Sequence, residues 1–337
     1  GGGFAIHTAT DVTQPKKGLK RMYSQGIPGD VAATTTPPVA GDFNGDGALD
    51  VAWLASKPQD QANLSIYLIS ICPKAGVMIN GIQCQKPFQV LPSSSLDFAK
   101  QAIKTQAQLK WPDQNCSGCP NSSNQFWLAA GNYDGRYTAL ESHQTDELVF
   151  VKISDNQKLE IFAYQLGNDL KPINPPIKTI FNKYYHSDGI HLTSGPVNQF
   201  SATDQIAFVT LDVDSNTKTE LAVIKFDSAL KATKHALNVS EEAFNKAGRT
   251  RAAPYAQGIS IGRFDPPQQG TARDFNAQIA VLYDTIDTVP VDNKNKIMLH
   301  IETVGDASDP TPKFKSEFVI APTRYDTPHN YKMAAPL

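Results

Sequence analysis

An all-β fold built from repeated antiparallel sheets is what this 337-residue sequence predicts, and three observations predict it. Short apolar runs bounded by Gly, Pro, Asn and Asp recur along the chain, with almost no helical periodicity between them. A glycine-led motif occurs four times. Each return delivers an acid or amide and then an apolar strand at the same place in the unit.

The first unit opens with 39-VAGDFNGDGALDVAWL-54. With Asp42 as position 1, side-chain oxygens fall at positions 1, 3, 5 and 9 (Asp42, Asn44, Asp46, Asp50), Gly47 stands at position 6, and Ala48 offers a free carbonyl. A hard cation collects six to eight oxygens, and a glycine permits the sharp turn that gathers them, so the spacing points to a calcium (Ca2+) loop. The competing explanation is a polar Asx/Gly turn between strands. Trp53 stands at position 12 where an EF-hand has its bidentate Glu, and Val51-Ala52-Trp53-Leu54 reads as a buried strand, so an EF-hand is excluded.

The motif returns in 127-WLAAGNYDG, 190-IHLTSGPVNQF and 257-QGISIGRFD, aligning Gly41, Gly131, Gly195 and Gly262. Downstream stand Asp50-VAWL, Glu147-LVFV, Gln205-IAFV and Gln278-IAVL. A third strand follows in each unit (64-LSIYLIS, 159-LEIFAYQL, 220-ELAVIKF, 297-IMLHIE), with outer segments such as 87-PFQVL, 178-KTIF and 316-SEFVI. Three to four short strands in units of about 65 residues predict blades of a β-propeller. A β-sandwich is the runner-up, but it does not account for a glycine-acid motif returning at one place per unit. The expected blades are 31–100, 125–180, 188–240 and 255–320, with 1–30 and 321–337 forming a partial or ring-closing blade of one domain spanning 1–337. The ring is expected to hold about five blades, or else the chain is part of a larger one.

The pattern apolar-x-G-D-F-N-G-D-G-x-x-D-apolar resembles the FG-GAP/VCBS repeat of integrin α-subunit propellers and of many secreted propeller proteins. The resemblance covers roughly 31–320 and fades along the chain. It implies blades of four strands, seven in the usual case, with calcium in loops that tie neighbouring strands. Carried over residue by residue, the first loop keeps Asp42, Asn44, Asp46 and Asp50. The second offers Asn132, Asp134 and Glu147 as a possible further calcium set, but Arg136 stands at position 5. The third and fourth have Pro196 and Arg263 at position 1 and Phe200 and Pro267 at position 5, so no ion is expected there. Asn198 and Asp265 are expected to cap turns instead.

Composition sets the surroundings. Lys and Arg total 31 against 33 Asp and Glu, a formal charge of −2, so no nucleic-acid partner is expected. Apolar runs reach about seven residues, far below the roughly 20 of a spanning helix, so no membrane insertion is expected. Gly1-Gly2-Gly3-Phe4 has neither the charged nor the apolar region of a signal peptide, as expected of a mature chain or a piece of a longer one. Four cysteines and sequons at Asn63, Asn115, Asn121 and Asn238 predict a secreted glycoprotein.

Two local disulfides, Cys72 with Cys84 and Cys116 with Cys119, are the expected pairing among three possible ones. The alternatives are a four-thiolate zinc site or a redox C-x-x-C at Cys116–Cys119. The run 258-GISIG-262 matches G-x-S-x-G, but it lies in a strand and no helix pattern follows Ser260, so no nucleophile is assigned. His186, His191 and Asp188 read as a polar loop rather than a metal set.

The function expected from this pattern is extracellular recognition or adhesion of a protein or glycan ligand, with structural calcium and without catalysis. The expected binding surface is built from the inserts 71–86, 107–126, 135–146 and 266–277. The alternatives are a carbohydrate-active enzyme of the polysaccharide lyase or dehydratase kind, working through Tyr184, Tyr185, His186 and Asp188, or a sugar-binding lectin.

Overall fold

The computed structural model describes residues 3–9, 19–26, 32–33, 38–57, 60–79, 81–87, 89–91, 103–104, 126–135, 145–153, 158–168, 170–184, 190–197, 203–211, 219–237, 255–262, 278–285, 295–303 and 313–323. Among these, regular structure is entirely β, in several antiparallel sheets. No helix of the described residues is long and apolar enough to cross a membrane.

Strand β1 (Gly3–Ala9) pairs only with β2 (Leu19–Gly26), among the described residues. In the first larger sheet, β3 (Ala32–Ala33) and β4 (Val39–Gly41) both pair with one edge of β5 (Leu49–Lys57), which pairs on its other side with β6 (Asp60–Ile71). A separate hairpin of β7 (Met78–Ile79) and β8 (Ile82–Gln83) follows. The chain then returns to β6 through β9 (Val90–Leu91) and β10 (Ile103–Lys104). Six strands therefore fill four lanes, with both outer lanes broken in two, and the sheet runs past the expected boundary at residue 100.

The other three sheets are four-stranded meanders in chain order. They are β11 (Phe126–Gly131), β12 (Glu147–Ile153), β13 (Lys158–Tyr164) and β14 (Ile177–Tyr184); then β15 (His191–Gly195), β16 (Gln205–Leu211), β17 (Thr219–Phe226) and β18 (Ala232–Leu237); then β19 (Tyr255–Gly262), β20 (Gln278–Thr285), β21 (Asn295–Thr303) and β22 (Lys313–Thr323). Consecutive strands pair in chain order, so each of these three stretches of sequence has its own antiparallel sheet.

The second lane of every sheet is apolar without alternation for a physical reason. Val51–Leu54, Leu148–Val151, Ile206–Val209 and Ile279–Val281 are buried on both strand faces, so each central strand needs apolar side chains on both.

The chain forms two compact units. One comprises Gly1–Ala130, Tyr137–Leu148 and Tyr164–Pro176; the other comprises Gly131–Arg136, Val149–Ala163 and Ile177–Leu337. In the second unit the third and fourth sheets pack face to face. Ala207, Val209, Leu221 and Val223 of one meet Ile259, Ile261, Ile279 and Val281 of the other in a single core. Register explains the set, because Ala207 pairs with Val223 and Ile261 with Ile279, placing each pair on one face. The first strands β15 and β19 lie side by side.

A turn missed in the sequence also repeats. In 167-GNDLK and 227-DSALK the first residue's N–H donates to the fifth's carbonyl, and the fourth's N–H to the first's carbonyl. The fourth residues, Leu170 and Leu230, take positive φ (58° and 60°) and are buried. Burying a leucine side chain outweighs the roughly 1–2 kcal/mol of left-handed strain.

A candidate cation loop and the joints between repeats

The loop between β4 and β5 turns on Gly45 and Gly47, whose φ of 72° and 76° other residues rarely adopt. That turn directs its polar side chains inward. Asp42 Oδ1 accepts the Asp46 N–H (3.1 Å), and Asp42 Oδ2 the Gly47 N–H (2.8 Å). Asn44 Oδ1 also accepts the Asp46 N–H (3.2 Å), while its Nδ2 donates to Asp46 Oδ2 (2.9 Å). Asp46 Oδ1 accepts the Ala48 N–H (2.8 Å). Four of the five sequence-predicted residues are thus knit into one network, and the fifth closes its mouth: Asp50 Oδ2 accepts the Phe43 N–H (3.0 Å).

Asp50 is fully buried, with Ser70 opposite it across the ladder to β6. Burial pushes this carboxyl up to about 8, and the charges of Asp46 and Asp42 push the same way. The Ser70 hydroxyl across the ladder is the largest opposing influence, second only to burial, and the Phe43 N–H opposes as well. Burial likewise raises Asp42, against the N–H groups it accepts. Among the described residues, no three His, Cys, Asp or Glu side chains stand together as a ready metal cage. The loop oxygens are instead turned onto the loop's own N–H groups.

The second loop is thinner. Asn132 Oδ1 accepts the Gly135 N–H (2.8 Å), and the buried Asn132 Nδ2 makes no hydrogen bond. Asp134 and Glu147 are buried as well. In the third and fourth copies the residues matching Asp50 are Gln205 and Gln278, both buried. Gln205 Nε2 returns to the Thr203 carbonyl (2.8 Å). Asp50, Gln205 and Gln278 each pair across the ladder with their repeat's glycine, so one buried polar position recurs whatever the loop beside it contains. Asn198 and Asp265 lie outside the described residues.

The role of the repeat glycine was not legible in the sequence. The Asp42 N–H donates to Asp146 Oδ2 (2.8 Å), and the Asp146 N–H donates back to the Asp42 carbonyl (2.8 Å). The same exchange recurs one repeat on: Asn132 N–H to Asp204 Oδ2 (3.0 Å), and Asp204 N–H to the Asn132 carbonyl (2.6 Å). A Cβ on Gly41 would stand 2.7 Å from Asp146 Oδ2, and one on Gly131 equally 2.7 Å from Asp204 Oδ2. Glycine is needed because the next repeat's aspartate rests on it. In the third repeat the donor position is Pro196, which has no N–H, and a Cβ on Gly195 would face Ile261 rather than a carboxylate.

Asp146 and Asp204 were missed because the signal, an Asp directly before Glu147 and Gln205, is absent at the matching Leu49 and Ala277.

Cys72 and Cys84 form a disulfide; Cys116 and Cys119 lie outside the described residues. The bridge closes the insert carrying β7 and β8, with Ile79 packed against Ala48, Leu91 and the two cysteines. Met78, Ile82, Lys74 and Lys86 of this insert face solvent. Ser260 is buried inside β19, paired with Ala280. His186 and Asp188 lie outside the described residues, and His191 begins β15.

No protein-family model matches this chain, and no curated protein matches it.

Proposed function

We propose that this chain is an extracellular recognition module of the FG-GAP/VCBS propeller kind, reinforced by calcium in the 42–50 loop. One observation carries the calcium assignment: the 42–50 loop joins Asp42, Asn44 and Asp46 in one hydrogen-bonded turn, with the buried carboxyl of Asp50 at its mouth. Acids held this close raise one another's cost of ionising, and a divalent cation offsets that repulsion. Asp42, Asn44, Asp46, Asp50 and the Ala48 carbonyl would hold the ion. It would supply charge neutralisation and crosslinking of the turn, with no chemistry of its own.

The disulfide supports an oxidising, extracellular setting. The repeated sheets and the shared joint support the propeller arrangement. For recognition, the disulfide-closed 71–86 insert presents the exposed apolar side chains of Met78 and Ile82 on a loop.

Titration calorimetry with calcium chloride on the wild type and Asp46→Ala is the test. The wild type is expected to take up calcium with a rise in Tm, and the variant to lack that site. Equal uptake by both removes the assignment. Glycan and protein-ligand binding screens, with and without chelator, then address the partner; binding to neither class removes the recognition role.

A further inference from the structure

We infer that Asp146, supplied by the second repeat, is a positioning residue for the first repeat's acidic loop. It holds the main chain of the hydrogen-bonded turn that carries Asp42, Asn44, Asp46 and Asp50, and so sets calcium affinity without being a ligand. This inference rests on the calcium reading above and goes beyond it by assigning affinity to a residue outside the loop.

The geometry divides Asp42 in two. Its main-chain N–H and carbonyl are both engaged by Asp146 at 2.8 Å. Its side-chain oxygens face the opposite way, onto the Asp46 and Gly47 N–H groups within the loop. The main chain is therefore anchored from outside while the carboxylate is presented inside. A second anchor from the same repeat reaches position 3, where Asn44 Nδ2 meets the Asn168 carbonyl (3.4 Å). Gly41 leaves no slack at the entry, since the Asp146 Cβ lies 3.1 Å from where its own Cβ would be. A loop fixed at its first and third positions loses less conformational freedom when it closes on an ion, and that difference appears as affinity.

The repeated joint provides an internal control. Asp204 makes the same two bonds to Asn132, so removing it costs the same kind of contact without touching the 42–50 loop. Calcium affinity by calorimetry and Tm are to be measured for the wild type, Asp146→Ala, Asp146→Asn and Asp204→Ala. Loss of a hydrogen bond to a charged acceptor is expected to weaken calcium binding in Asp146→Ala about tenfold. Asp146→Asn, which keeps an acceptor oxygen, is expected to recover most of the loss. Asp204→Ala is expected to lower Tm as Asp146→Ala does while leaving affinity within about twofold of the wild type. Hydrogen exchange on the wild type needs no variant to fold: calcium is expected to slow the Asp42 and Asp146 amides.

Wild-type affinity in Asp146→Ala, equal weakening in Asp204→Ala, equal weakening in Asp146→Asn, or unchanged exchange at both amides overturns the inference and leaves the calcium reading standing. A wild type that takes up no calcium overturns both.

Discussion

Replacing Gly131 with alanine tests the joint at its tightest point. The added methyl would stand 2.7 Å from Asp204 Oδ2, 2.9 Å from Asp204 Cβ and 2.9 Å from Ser194 Oγ. Relief requires Asp204 to withdraw, breaking the 3.0 Å bond from the Asn132 N–H. A hydrogen bond to a charged acceptor contributes about 1.5–3 kcal/mol, with the lower end appropriate to a half-buried carboxylate. Residual crowding adds about 1–3 kcal/mol, and the reduced freedom of the unfolded chain returns about 0.4–1 kcal/mol. Gly131→Ala is therefore expected to destabilise by roughly 2–3 kcal/mol. In an Asp204→Ala background the bond and the carboxylate are already gone, so the same substitution is expected to cost about 1 kcal/mol. Urea denaturation followed by circular dichroism, with unchanged m, measures both. Equal cost in the two backgrounds, or a Gly131→Ala chain as stable as the wild type, would refute the steric account of the repeat glycine.

Three further expectations follow from the same geometry. Burial raises the Asp204 carboxyl above its ordinary 3.8, against the Asn132 N–H that lowers it; the folded chain thus holds this proton more tightly than the unfolded one. That stabilisation is present below about pH 4 and is lost as pH rises through the folded value, so wild type is expected to weaken over this window relative to Asp204→Asn, and parallel pH–stability curves would contradict it. Removing the Cys72–Cys84 bridge, which spans a sequence separation of 12, is expected to cost about 3 kcal/mol by the loop-closure estimate; a Cys72→Ala, Cys84→Ala chain with an unchanged urea midpoint would contradict it. Phe208 is buried in β16, and Phe208→Ala is expected to cost about 3–5 kcal/mol in the same assay.

Much of the architecture was legible because its signals are local. The apolar runs at Val51–Leu54 and Ile206–Val209 mark strands in sequence because both their faces are covered. The Cys72–Cys84 pairing follows from short separation, and the acidic loop is legible because Asp42, Asn44, Asp46 and Asp50 all lie within one turn. The first sheet was read less well. Its outer lanes are each split into two short strands, and β10 falls beyond the expected boundary, because two-residue strands carry no periodicity to read.

By itself the sequence determined the β character and the polar, glycine-bearing turn at 42–50, since strand pattern and turn chemistry act over a few residues. Only the tertiary structure decided why Gly41 and Gly131 must be glycine, because the carboxylates that rest on them come from Asp146 and Asp204, 104 and 72 residues beyond the N–H groups they accept. It also decided that the Asp50 carboxyl is fully buried, opposite Ser70. Such contacts depend on how successive sheets twist and stack, and that arrangement is a property of packed layers rather than of any short stretch of chain.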